Sequence, residues 1–230
     1  MHILVYGADG ATGSRLIDQA LARGHRVRAS AHSLSGNERQ AEGLEWVATD
    51  LMDRDGPQGD MDGIDAVLNA VGIDAGPDTV VNPPDLHTTG TRNVLAAMRA
   101  AEVDRLITIS ATFVETMARG PIWFEAAARL GLASIFEQMG EMEKILQATP
   151  WLRWTAVRPG WLLDEAASGD FQVFDDVIPE DLIRTRTGDL AAFMLDCAEG
   201  DLHVRETPAI SRPEPAEKSG PDAVLKEMMG

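Results

Sequence analysis

The chain has a single cysteine, Cys197, in 230 residues. That excludes an internal disulfide and any cysteine-rich metal motif. Cys197 sits in an apolar helical pattern with Leu190, Phe193 and Met194, the pattern of a buried, inert thiol. The five histidines (His2, His25, His32, His87, His203) are scattered without metal-ligand spacing. Tyrosine also occurs once, as Tyr6. No apolar run is long enough to span a bilayer. The first core strand begins at residue 2 or 3, leaving no room for a signal peptide, so the expected compartment is the cytoplasm. Positive charge is short: 20 Lys and Arg face 37 Asp and Glu, for a net charge of −17 and a pI near 4.6. Such a surface repels nucleic acid and anionic membranes, and neither is an expected partner.

What is present begins at the amino terminus. Ile3, Leu4 and Val5 form a short apolar strand that runs into a turn with Gly7, Gly10 and Gly13. A helical pattern follows at once (Leu16, Ile17, Ala20, Leu21), and Gly24 stops it. Strand, glycine turn and helix together are the arrangement that holds a dinucleotide pyrophosphate. Gly7 permits the tight turn, Gly10 lets backbone approach phosphate, and Gly13 lets helix and strand pack closely. The spacing is Gly-x-x-Gly-x-x-Gly, not Gly-x-Gly-x-x-Gly; without strand and helix around it, it would be a plain turn that binds nothing.

Strands and helices alternate along the chain. Strands are predicted at 2–6, 26–31, 45–49, 65–70, 105–110, 152–157 and near 206–210. Helices are predicted at 11–23, 86–102, 133–148 and 187–198, with shorter pieces near 36–41 and 121–130. Residues 72–85 read as a loop. The fold class is α/β, a doubly wound parallel sheet of about seven strands with helices on both faces. Residues 1–210 form one domain. Residues 211–230 form a tail, mobile over 211–222, with a short helix at 223–229 that docks or frays. In such a sheet ligands bind beyond the carboxyl ends of the strands.

A series of short motifs follows in order. They are Gly7-x-x-Gly10-x-x-Gly13, Asp50-Leu51, Asn69-Ala-Val-Gly72, Gly90-Thr-Arg-Asn93, Ile107-Thr-Ile-Ser110, Trp154-Thr-Ala-Val-Arg-Pro-Gly160 and Gly188-Asp-Leu-Ala191. In this order they resemble the short-chain dehydrogenase/reductases, most closely the atypical branch of NAD(P)H-binding, NmrA-like and flavin/biliverdin-reductase-like proteins. The resemblance spans roughly residues 1–210 and implies a Rossmann-type fold. It implies that Gly7, Gly10, Ala11, Thr12 and Gly13 hold the pyrophosphate, that Asp9 belongs to the same cofactor-binding loop, and that Asp50 and Leu51 meet the adenine. Ala70, Val71 and Gly72 lie against ribose and nicotinamide. Ser110 sits near nicotinamide and substrate, and Pro159 and Gly160 support the nicotinamide side. Asp50 could equally be a helix N-cap, and Asn69 and Ser110 could serve only to satisfy backbone groups at strand ends.

The coenzyme expected is NADP(H), with NAD(H) the alternative. The end of the second strand (Val27 to Ser33) lacks the acid that usually accepts from the ribose hydroxyl. His32 and Ser33 could meet a 2′-phosphate, assisted by Arg28 or Arg39, although histidine supplies less charge than arginine.

The resemblance also exposes an absence. The family's usual mechanism uses a Tyr-x-x-x-Lys pair, and the only tyrosine here lies in strand one. Aligning Glu143 with the family's helix glutamate puts Phe136 and Gly140 at those positions; the other alignment offers Gly140 and Lys144. General acid catalysis of about 100- to 10,000-fold is therefore missing. The expected function is hydride transfer to a small conjugated acceptor (flavin, quinone or tetrapyrrole-like) that takes its proton from solvent. Ser110 and Thr112 would bond that acceptor, beside a wall of Phe113, Met117, Ile122, Trp123 and Phe124. An NmrA-like NADP(H)-binding sensor acting on a protein partner is the alternative, and an epimerase-like enzyme the third reading. The protein is expected to be a monomer or homodimer.

Overall fold

In this computed structural model the described residues are 1–73, 83–116, 132–220 and 223. All five residues of β1 (His2–Tyr6) are buried, as befits a strand covered on both faces. The other strands are β2 (Arg26–Ala31), β3 (Leu44–Ala48), β4 (Ala66–Asn69), β5 (Arg105–Ile109), β6 (Arg153–Pro159), β7 (Trp161–Leu163), β8 (Gln172–Phe174), β9 (Arg184–Arg186) and β10 (Ala209–Ser211). The main sheet has eight strands in the order β3-β2-β1-β4-β5-β6-β10-β8. Every pairing in it is parallel except β10 with β8. The connection reverses direction across β1 and β4, which opens a crevice at their carboxyl ends. β7 and β9 make a separate two-stranded parallel ribbon.

Among the described residues the α-helices are α1 (Ala11–Ala22), α2 (Thr91–Ala100), the single turn α3 (Phe113–Thr116), α4 (Ala133–Gln147), α5 (Thr187–Gly200) and the single turn α6 (Ala216–Ser219). Alternate residues of β1 feed opposite layers. Ile3 and Val5 pack with Leu16 and Ile17 of α1 and with Leu190 and Met194 of α5. Leu4 packs with Val94 and Met98 of α2 and with Met142 and Leu146 of α4. Each such fully buried aliphatic side chain contributes about 1.5–3 kcal/mol. Cys197 lies in the α5 layer with no exposure, and burial pushes its thiol up to about 12, so it is inert as expected.

The structure corrects the sequence reading in several places, the unexpected β7–β9 ribbon among them. The sheet has eight strands, not about seven, because the three-residue β8 adds an antiparallel edge; so short a strand has no readable alternation. Residues 36–41 form no helix. They have no apolar face to bury, and Glu38 turns back to accept from the amides of Ser35 and Gly36. The helix expected over 86–102 begins as a wide turn at Leu86–Gly90 before α2. The tail is anchored from its start: Ser211 completes β10, Glu214 accepts from Arg186 (2.5 Å) and Arg212 (2.7 Å), and α6 follows. The piece expected at 121–130 lies outside the described residues, as does all of the helix expected at 223–229 beyond residue 223.

Candidate functional site

The glycine turn is built by contacts that only glycine allows. Gly7 has φ of +71°, and a Cβ there would lie 2.8 Å from the Ala70 backbone. A Cβ on Gly13 would lie 1.9 Å from the Gly7 carbonyl oxygen. The Gly10 amide donates to the Gly7 carbonyl at 3.1 Å. No side chain among the described residues caps α1, and the first amide to bond back along the helix is that of Ser14, to Gly10 at 2.9 Å. The amides of Ala11, Thr12 and Gly13 thus have no partner within the helix, and they add to the positive end of its dipole.

That helix end opens on a cavity of about 750 Å³. The cavity collects Gly7, Asp9, Gly10, Ala11 and Thr12 from the loop, His32 after β2, Asp50 and Leu51 after β3, and Ala70, Val71 and Gly72 after β4. Eleven residues named from the sequence therefore meet at one crevice. Gly13 lies buried behind it. Asp50 Oδ1 accepts from the Met52 amide at 2.8 Å; no helix starts there, so the N-cap alternative is not realised. His32 is exposed, and its Nδ1 lies 3.8 Å from Asp50 Oδ1. Ser33 lines a side cavity of about 450 Å³ that shares Asp9 and Ala31 with the main one.

Ser110, Thr112, Pro159 and Gly160 do not line the main cavity. All four are buried at the carboxyl ends of β5 and β6. Ser110 Oγ donates to Glu143 Oε1 at 2.6 Å. Arg158 holds the same carboxylate with two bonds, Nε to Oε1 at 2.9 Å and Nη2 to Oε2 at 2.6 Å. It also reaches Asp176 and, at 3.3 Å, Glu115. Burial pulls the Arg158 guanidinium down, but its pairing with Glu143, Asp176 and Glu115 together outweighs this and leaves it raised. Thr112 Oγ1 accepts from the Ile178 amide at 3.2 Å. The Thr112 amide donates to the Pro159 carbonyl, and the Gly160 amide donates to Thr185 Oγ1. The buried Glu143–Arg158 pair was not singled out from sequence as a site. Its signal, a buried Arg near the end of β6 and a Glu on the facing helix, is visible only once β6 and α4 are known to be neighbours.

Beside this pair lies a further cavity of about 580 Å³, lined by Phe113, Phe136, Gly140, Lys144 and Arg158 among others. The Phe113 and Phe136 rings are 5.3 Å apart. Of the apolar wall expected here, Met117, Ile122, Trp123 and Phe124 lie outside the described residues. Tyr6 is not available as an acid. Its hydroxyl donates to Asp60 at 3.2 Å, and burial with the Asp60 charge raises its pKa far above the usual phenol range. Thr49 donates to the same Asp60 oxygen at 2.6 Å. No group of three or more His, Cys, Asp or Glu among the described residues could hold a metal ion. No helix among them is long and apolar enough to cross a membrane.

Sheet order and glycine loop together define a Rossmann-type domain. The model of a family described as NAD(P)H-binding matches residues 7–201, and the chain belongs to that family. This bears out the resemblance read from the motifs. Among curated relatives, the 3-diazoavenalumate denitrifying reductase of a Streptomyces species is 30% identical over 173 residues, 65% of this chain and 52% of that protein. The chain spans about half the length of the curated relatives it matches. Among solved structures, the oxidoreductase ylbE of Lactococcus lactis has a TM-score of 0.76 at 22% identity, over 98% of this chain and 97% of that one. An anaerobillin reductase of Escherichia coli O157:H7 has a TM-score of 0.72 at 19% identity, over 94% and 98%. At these identities the solved structures share the fold.

Proposed function

We propose that the protein is an oxidoreductase that passes hydride from a nicotinamide dinucleotide to a small conjugated acceptor without a Tyr-Lys pair. The observation that carries this reading is the uncapped start of α1, closed onto Gly7 by Gly13, at the mouth of a 750 Å³ crevice. The amides of Ala11, Thr12 and Gly13 bind the pyrophosphate, and Asp50 with Leu51 flanks the adenine. Ala70, Val71 and Gly72 give the ribose and nicotinamide a flat backbone wall. When bound, the nicotinamide supplies the hydride. The acceptor lies toward Phe113 and Phe136, where an aromatic wall favours a flat, conjugated molecule. No described phenol faces it, so the proton comes from solvent, which suits flavins, quinones and tetrapyrrole-like acceptors. A reductase among the curated relatives supports the reaction class. The preference between the two coenzymes is decided at the end of β2, where the 2′ position of the ribose falls.

One observation favours the sensor reading as a runner-up. The Ser110 and Thr112 hydroxyls are both buried and both already bonded within the protein. Titration of the purified protein with NADH and NADPH, followed by FMN, riboflavin, quinones and biliverdin as acceptors, separates the two. Coenzyme oxidation with any of these supports the reductase. Tight coenzyme binding with no turnover across the panel supports the sensor. Ser110→Ala is expected to lose turnover and keep coenzyme affinity; equal turnover would remove Ser110 from the reaction.

A further inference from the structure

The loop after β2 contains an anion nest that the chain fills itself. The Ser35 amide donates to Glu38 Oε1 at 2.5 Å, Ser35 Oγ donates to it at 3.0 Å and the Gly36 amide at 3.2 Å. Successive backbone amides with a hydroxyl are the groups that would otherwise receive a phosphate. Ser35 stands in the wall of the side cavity of about 450 Å³, with Ser33, Glu38 and Asp9, and that cavity shares Asp9 and Ala31 with the main crevice. It lies beyond the carboxyl end of β2, where a Rossmann domain distinguishes a ribose 2′-hydroxyl from a 2′-phosphate.

The cations that could serve a 2′-phosphate already have partners within the chain. Arg28 donates to Glu45 at 2.6 Å and to the Asp60 carbonyl at 2.6 Å. Arg39, which lines the side cavity, is paired at the surface with Asp18. The nearest charged neighbour of His32 is the Asp50 carboxylate. Backbone bonds, with help from Ser35 Oγ, hold the Glu38 carboxyl below its usual range, so it is ionised at neutral pH. A phosphate monoester brings close to two negative charges of its own.

We infer that Glu38 is a specificity-determining residue: by occupying the amides of Ser35 and Gly36 it selects NAD(H) against NADP(H). This rests on the proposed seat of the dinucleotide at the glycine loop, and it reverses the preference that the bare end of β2 suggested. The 2′-phosphate would have to displace the Glu38 carboxylate or sit against it unpaired. The 2′-hydroxyl of NAD(H) asks for no displacement.

The test is calorimetric titration of the full chain, wild type and Glu38→Gln, with NADH and with NADPH. Glu38→Ala, which removes the whole side-chain arm, serves as a second variant; the loop is exposed, and circular dichroism checks that both variants fold. Wild type is expected to bind NADPH weaker than NADH by about tenfold or more, the scale of one uncompensated like charge at a partly solvated site. Both variants are expected to close most of that gap by gaining NADPH affinity while NADH affinity stays unchanged. Wild type binding NADPH as tightly as NADH or tighter overturns the role of Glu38 and leaves the glycine-loop site standing. So does a variant that moves both affinities alike or neither. Binding of neither coenzyme at millimolar concentration removes the site itself, and this proposal with it.

Discussion

Gly13 is the residue at which fold and proposed function are least separable. A methyl group there would overlap the Gly7 carbonyl, so Gly13→Ala must push the helix away from the loop. The expected cost is about 1–3 kcal/mol in urea unfolding, the usual range for overpacking. Coenzyme affinity should fall by more than the stability loss explains, since the amides of residues 11–13 are displaced with it. Retained affinity in a folded Gly13→Ala protein would speak against a pyrophosphate at this turn. His87 sets a different kind of constraint. It is buried, its Nε2 has no hydrogen-bond partner among the described residues, and burial pushes its pKa down to about 4 from 6.5. The unfolded chain therefore binds this proton more readily. The stabilisation is complete above pH 6.5 and is lost as pH falls through the window toward 4, by on the order of 3 kcal/mol in all. Urea unfolding at pH 7 and pH 5 measures it, and His87→Leu is expected to flatten the difference.

At the scale of elements, what could be read from the sequence depended on the length of each piece and on what held it. β1, β2, α1, α4 and α5 carry enough periodic apolar residues to announce themselves, and each begins within a residue or so of its expected place. The glycine loop was legible because only one backbone geometry satisfies three glycines between strand and helix. The elements that were missed, β7, β8, β9 and the seat of the tail, are three or four residues long and held by partners far along the chain. Glu214 shows why: its carboxylate has no exposed side-chain surface, and its two partners are Arg186 and Arg212. The helix expected at 36–41 failed for the converse reason, since a local Ser-to-Glu turn needs no packing and outcompetes a helix that has none. Arg186 bonding holds the Glu214 carboxyl below its usual range, so its stabilisation is present above the unfolded carboxyl range and is lost as pH falls through its lowered folded value. Glu214→Gln is expected to cost about 2 kcal/mol at neutral pH, in line with loss of charge-assisted bonds. Proteolysis of the tail should accelerate in the same variant; an unchanged cleavage rate would mean that β10 and α6 hold the tail without the ion pairs.

For the molecule as a whole, charge is the dominant global property. A net charge of −17 opposes compaction and also opposes the approach of an anionic coenzyme. Raising salt from about 0.01 M to about 0.15 M shortens the Debye length from about 30 Å to about 8 Å. Both the melting temperature and the coenzyme association rate are therefore expected to rise over that interval. A stopped-flow rate that falls with salt would reveal a local positive field at the crevice strong enough to override the surface. The hydrophobic layers on the two faces of the sheet are insensitive to this screening and supply the stability against which the repulsion acts.

The lone thiol, on the buried face of α5, gives the protein a built-in clock. Because no other thiol competes, the rate at which an aromatic disulfide reagent turns yellow in its presence times the parting of helix from sheet, molecule by molecule, without any label having been introduced. A ligand seated at the far rim of the same layer would slow that clock, which makes a colour change in a cuvette a gauge of occupancy for any compound tried.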